Sequence, residues 1–170
     1  MLNRAIEVAK QTLKGFEKHL PVDIQAIIQA HNIAIRTQPL EDAVSGILVV
    51  KNGHATIGVN ESHHPNRQRF TLAHELGHFL LHGDSTSVFI DASPVFFRDE
   101  TSSEGSKLQE IEANAFAAEL LMPEHMLRNV TQNQPLDAFD EGAVRRLAAQ
   151  FGVSTQAMTI RLTKLGLING

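Results

Sequence analysis

A chain of 170 residues with 42% hydrophobic side chains suits one domain with a real core, or one domain carrying a small appendage. It has no cysteine, which excludes a disulfide framework, a thiolate metal knuckle and a cysteine nucleophile, so any metal must be held by His, Asp and Glu. The formal net charge of −4 argues against a dedicated nucleic-acid binder, but it is uneven: nine acids face two bases between Asp84 and Glu124, whereas Ala143–Gly170 holds Arg145, Arg146, Arg161 and Lys164 and no acid.

The start, MLNRAIEVAKQTLKGFEKHL, is charged and helix-periodic rather than leader-like. No apolar run reaches the roughly 18 residues of a membrane span, so a cytoplasmic protein is expected. Residues 2–14 read as a helix with Leu2, Ile6, Ala9 and Leu13 on one stripe, and residues 22–31 as a second, with Pro21 and Asp23 at its start. AVSGILVVKNGHATIGVN reads as a β-hairpin, two β-branched runs around Asn52-Gly53, the dipeptide that type I′ turns prefer. RQRFTLAHELGHFLLH returns to helical spacing through Leu72, Leu76, Phe79 and Leu80. A Ser-, Asp- and Gly-rich stretch follows, with two short apolar runs that fit edge strands, as Pro94 also does. Ser106 and Gln109 form a capping-box pattern ahead of a helix over about 107–121 that ends at Pro123. The tail, AVRRLAAQFGVSTQAMTIRLTKLGLI, reads as helix, Gly-containing turn, helix.

The chemistry lies in HELGH. His74 and His78 are four apart, so on a helix their rings project from one face and can share a cation. Glu75 points away from the pair but can lean toward the open position of a metal and take a proton from water. Composition alone would produce this pattern in roughly one such chain in thirty, so a third ligand decides the matter. The metzincin pattern needs Gly and His where this chain has Leu81 and Asp84, and it is excluded. His82 drifts about 80° from His74 around the helix and reads better as a site wall than as a ligand. In QEIEANAF, Glu110 and Asn114 share a face, the spacing of a carboxylate ligand and an acceptor that orients a ligating imidazole. Glu112 is the rival ligand.

These residues carry a resemblance. RFTLAHELGHFLLH and EIEANAFAAELLMP, preceded by VSGILVVKNGHATIGVN and followed by LAAQFGVSTQAMTIRLTKLGL, make the chain similar to the ImmA/IrrE metallopeptidases. The resemblance implies an α+β, zincin-like domain in which a small sheet packs on the HExxH helix and on a glutamate-bearing helix. It implies His74, His78 and Glu110 as Zn2+ ligands, Glu75 as general base and Asn114 as the partner of a ligand imidazole. It also implies a protein substrate, typically a helix-turn-helix repressor whose cleavage relieves repression of mobile-element or stress genes. The metal could instead be manganese, iron or cobalt, which the same donor set accepts. For the group that stabilises the oxyanion the candidates are His63, His64, His82 and Arg98, since the chain has no tyrosine.

Residues 1–135 are assigned to the zincin-like part and 136–170 to a helix-turn-helix-like segment. A DNA-binding reading would bring Ser154, Thr155, Gln156, Thr159 and Arg161 to a major groove. A packing reading, favoured here, turns Val153, Met158, Leu162 and Leu165 onto the peptidase core. A competing function is a DNA- or protein-binding regulatory module, or a toxin–antitoxin component, whose zincin part is structural or inactive.

Overall fold

The computed structural model describes residues 2–83, 86–92, 104–132, 136–137 and 140–169. The first helix, α1 (Leu2–Leu13), buries Ala5, Ala9 and Leu13, a line of residues four apart. Leu2, expected on that stripe, is 48% exposed, because the buried line is centred on the small residues that let α1 lie close to the later helix α4 (Glu104–Leu121). Helix α2 (Ile24–Ala30) starts where Asp23 accepts a hydrogen bond from the Ala26 amide at 3.0 Å, and it buries Ile24, Ile27 and Ile28.

Asn32, at φ 57°, turns the chain into β1 (Ile33–Gln38), a strand absent from the reading above. The hairpin follows as β2 (Val44–Lys51) and β3 (His54–Asn60). Lys51 faces His54 across it, and Asn52 and Gly53 both have positive φ (52° and 75°), as a type I′ turn requires. β4 (Thr86–Ala92) takes the first of the two apolar runs and lies at the sheet edge; the second run, with Pro94, falls outside the described residues. The four strands run in the order β1-β3-β2-β4, with β1 parallel to β3 and the other pairs antiparallel. Leu48, Val50, Ala55, Ile57 and Val59 form the buried face, whereas Val49, Val88 and Ile90 face solvent.

Helix α3 (Pro65–His82) packs on the buried face. It begins at His64, whose ring nitrogen accepts from the Asn66 amide at 3.2 Å, with proline at the first turn. Helix α4 begins two residues before Ser106, so Ser106 lies inside the helix and is not its cap. After Pro123 come α5 (Glu124–Val130), a short bridge between β5 (Leu136–Asp137) and β6 (Ile168–Asn169), α6 (Glu141–Phe151) and α7 (Thr155–Lys164). Gly152 closes α6 in the left-handed conformation, and Ser154 caps α7 by accepting from the Ala157 amide at 3.1 Å.

Val144, Phe151, Val153, Met158 and Leu162 join the same core as α1–α4. Asn66 donates to the Val153 carbonyl at 3.0 Å, and Arg69 donates to the carbonyls of Gly152 (3.1 Å) and Val22 (2.8 Å), tying the α6–α7 turn to α3. Arg161 is buried, paired with Glu119 of α4 and donating to the Met122 carbonyl. It therefore does not stand on the solvent side of α7, where Ser154, Thr155, Gln156 and Thr159 lie. Among the described residues, no helix is long and apolar enough to cross a membrane.

Candidate metal centre

The site is built where α3 crosses α4. The crossing is close because Gly77 carries no side chain: a Cβ added there would stand 3.0 Å from Phe116 Cδ1 and 3.2 Å from the Cα of Ala113. Glycine costs a helix interior about 1 kcal/mol relative to alanine, so its presence here answers to the neighbouring helix rather than to α3 itself. The approach sets Glu110, one turn before Ala113, over the imidazoles of α3.

His74 and His78 are almost fully buried, at 3% and 1% exposure, and their Nε2 atoms are 3.1 Å apart. Glu110 Oε2 lies 3.3 Å from His74 Nε2, and its Oε1 lies 3.0 Å from His78 Nε2. Ligands bonded at about 2.0–2.1 Å to a tetrahedral ion are themselves about 3.3 Å apart, close to the separations of the two imidazole nitrogens from each other and from the nearer Glu110 oxygen of each. Among the described residues, His74, His78 and Glu110 are the group able to hold a metal ion, their ligand atoms lying within 4.8 Å of one another. Burial pushes the Glu110 carboxyl up, but hydrogen bonding to His74 and His78, and then their charge, outweigh it and hold the group well below the usual carboxylate range.

The second acidic candidate is placed differently. Glu112 Oε2 is 3.5 Å from His82 Nε2, both side chains nearly buried, so His82 pairs with the rival carboxylate beside the centre rather than entering it. Burial lowers the His82 pKa, the charge of His78 lowers it further, and Glu112 opposes both. The rings of His82 and His78 are 5.9 Å apart. Phe89 of β4 stacks on His78 at 4.6 Å and 20°, fixing the plane of that imidazole from the sheet side. Glu75 is fully buried and turned toward β2, where Gly46 lies against its carboxylate.

Among the described residues, none of the remaining candidates joins the group able to hold a metal ion. His64 caps α3, ten residues and about 15 Å along the axis from His74, and His63 Nε2 lies 3.4 Å from the Asp42 carbonyl. Arg98 falls outside the described residues. Asn114 sits half-buried one turn beyond Glu110, and no side-chain hydrogen bond joins it to His78. Sequence reasoning missed Gly46, Gly77 and Phe89. The glycine inside HELGH was the one visible signal, since a helix interior does not otherwise favour it.

Fold and donor set define a class first: an α+β domain carrying an HExxH helix whose two histidines meet a glutamate from a second helix. The chain belongs to the Peptidase M78 family, described as the IrrE N-terminal-like domain, whose model matches residues 28–163. It is 35% identical over 82 residues to the radiation response metalloprotease IrrE of Deinococcus radiodurans, covering 46% of this chain and 23% of that protein. It is 28% identical over 120 residues to the uncharacterized immunity region protein 2 of Bacillus phage phi105, covering 70% and 69%. Its fold is similar to that of a Mycobacterium tuberculosis transcriptional regulator, with a TM-score of 0.64, 16% identity, and coverage of 95% of this chain and 46% of that one. The chain therefore spans about a quarter of the Deinococcus relative and about half of the mycobacterial chain.

Proposed function

We propose that this protein is a zinc-dependent endopeptidase that cleaves a transcriptional regulator, a repressor of helix-turn-helix type, in the cytoplasm. The observation that carries the reading is the convergence of His74, His78 and Glu110 at 3.0–3.3 Å from two crossing helices. Membership of a peptidase family, and a relative described as a radiation response metalloprotease, support it. Zinc is preferred because two imidazoles and one carboxylate are a donor set of catalytic zinc sites that keep a position open.

When bound, the cation supplies Lewis acidity, which polarises a scissile carbonyl and acidifies water. The chain does the rest. His74 and His78 hold two positions from one rigid helix, and Glu110 closes the set from α4. Glu75 takes the proton from the attacking water on a carboxylate oxygen and returns it to the leaving amine. Asn114 is assigned to the orientation of a ligand imidazole. In this reading residues 1–135 form the peptidase and 136–170 a helical segment packed on it.

The test is incubation of the zinc-loaded protein with the helix-turn-helix regulator encoded beside it. Cleavage by the wild type, abolished by a chelator and reduced about 10²–10⁴-fold in Glu75→Gln, is the expected result. No cleavage by the wild type, or equal cleavage by both, contradicts the proposal.

A further inference from the structure

The strand that crosses α3 is irregular where it passes Glu75. In β2 the register with β4 shifts between Val44 and Gly46, the mark of a bulge. Ser45, between them, is buried, and its hydroxyl accepts a hydrogen bond from Arg67 Nη2 at 2.9 Å. Arg67 lies on α3 seven residues before His74, so the same helix that carries the ligands also holds the bulge.

Gly46 does not adopt the left-handed conformation that reserves a position for glycine, so nothing in its backbone forbids a side chain. The requirement is spatial. A Cβ there would stand 3.0 Å from Oε1 and 3.3 Å from Cγ of Glu75, and would collide with Cγ2 of Thr71. Thr71 and Glu75 are four apart on α3 and both buried, so the strand meets the helix along one ridge whose two side chains fill the space that a side chain at position 46 would need. A glutamate has several staggered rotamers. The space above Gly46 selects the one that Glu75 takes.

We propose that Gly46 is a positioning residue for the general base: by carrying no side chain at the bulge that Arg67 holds, it leaves the space against β2 that the Glu75 carboxylate occupies. The inference rests on the peptidase reading above, because it assigns a purpose to the position of Glu75. The rival explanation is that Gly46 only makes way for Thr71.

The two explanations separate in the full chain carrying Gly46→Ala together with Thr71→Ser, which removes the colliding methyl and keeps the hydroxyl. Melting, zinc content, the crystal structure of the zinc-loaded protein and the visible spectrum of the cobalt(II)-loaded protein are compared with wild type. The double variant is expected to fold and to bind one zinc, with affinity falling by less than the roughly ten- to hundredfold loss typical of a disturbed ligand support. The Glu75 carboxylate is expected to be displaced, with His74, His78 and Glu110 in place, and the cobalt band to move away from its wild-type position. A folded, zinc-loaded double variant with carboxylate and band unchanged would overturn the role of Gly46. A wild type that takes up neither zinc nor cobalt would overturn the peptidase reading itself. Gly46→Ala alone adds the contribution of Thr71; where it does not fold, the double variant carries the test.

Discussion

Helix α4 holds two carboxylates in different company. Near its start Glu110 meets two imidazole nitrogens; near its end Glu119 meets the guanidinium of Arg161, which also donates to the Met122 carbonyl. The second arrangement is complete in itself, an anion against a cation with donors facing acceptors. The first gathers a carboxylate and two imidazole nitrogens on one point, a donor set that suits a cation. The same residue type on the same helix thus docks α7 in one place and offers a metal ligand in the other. The two differ in the chemistry of the partner and also in burial: Glu119 is buried while the Glu110 side chain is 44% exposed.

The comparison can be broken from the docking side first. Arg161→Ala leaves Glu119 buried without its cation, and a loss of about 3–5 kcal/mol is expected in denaturant melts. Replacing both partners with apolar residues of similar size should recover most of that loss. Metal binding by the folded fraction should be unchanged, because α7 contributes no ligand. A metal site lost in step with Arg161 would mean that the two ends of α4 are not independent.

The next effect falls on the crossing itself. Gly77→Ala puts a Cβ 3.0 Å from Phe116 Cδ1 and 3.3 Å from the Ala113 carbonyl, and overpacking of that kind costs about 1–3 kcal/mol. Helix propensity favours alanine by up to about 1 kcal/mol, so the expected net is a modest loss in stability. Zinc affinity, measured by competition with a chelator, should fall further than stability does, since the helices must part at the turn that brings Glu110 to the histidines.

The smallest effect lies next to the docking pair, where the Glu124 amide donates to Glu119 at 3.4 Å. A hydrogen bond from Arg128, then its charge, hold the Glu124 carboxyl below its ordinary value against the opposing effect of burial. A depressed carboxyl contributes stability above the ordinary carboxylate range and loses it as pH falls through the folded-state value. The pair is partly exposed and screened, so Glu124→Gln should cost only about 0.3–0.5 kcal/mol near neutrality. The gap between wild type and variant should close in acid; a gap that persists there would assign the effect to packing.

Local signals were legible in the sequence wherever one segment satisfies its own backbone. Asn52-Gly53 dictates its turn, Asp23 caps the helix it precedes, and HELGH lies on the helix its spacing requires. β1 was not legible, because Ile33 and Ile35 gain their meaning only by parallel pairing with β3, which no local pattern encodes. The start of α4 was misplaced because Ser106 and Gln109 imitate a cap within a helix that was already under way. Glu110 and Glu112 were both on offer; the rotation of α4 about its contact with Gly77 decides between them, and that contact is long-range. Phe89 against His78 and Gly46 against Glu75 are products of the sheet register, invisible before the strands are paired.

The central claim is that the carboxylate ligand is Glu110 and that Glu112 belongs to His82. Metal analysis of purified wild type, Glu110→Ala and Glu112→Ala tests it directly. One zinc per chain in the wild type and in Glu112→Ala, with loss from Glu110→Ala, is the predicted result. Zinc retained by Glu110→Ala and lost from Glu112→Ala would contradict it.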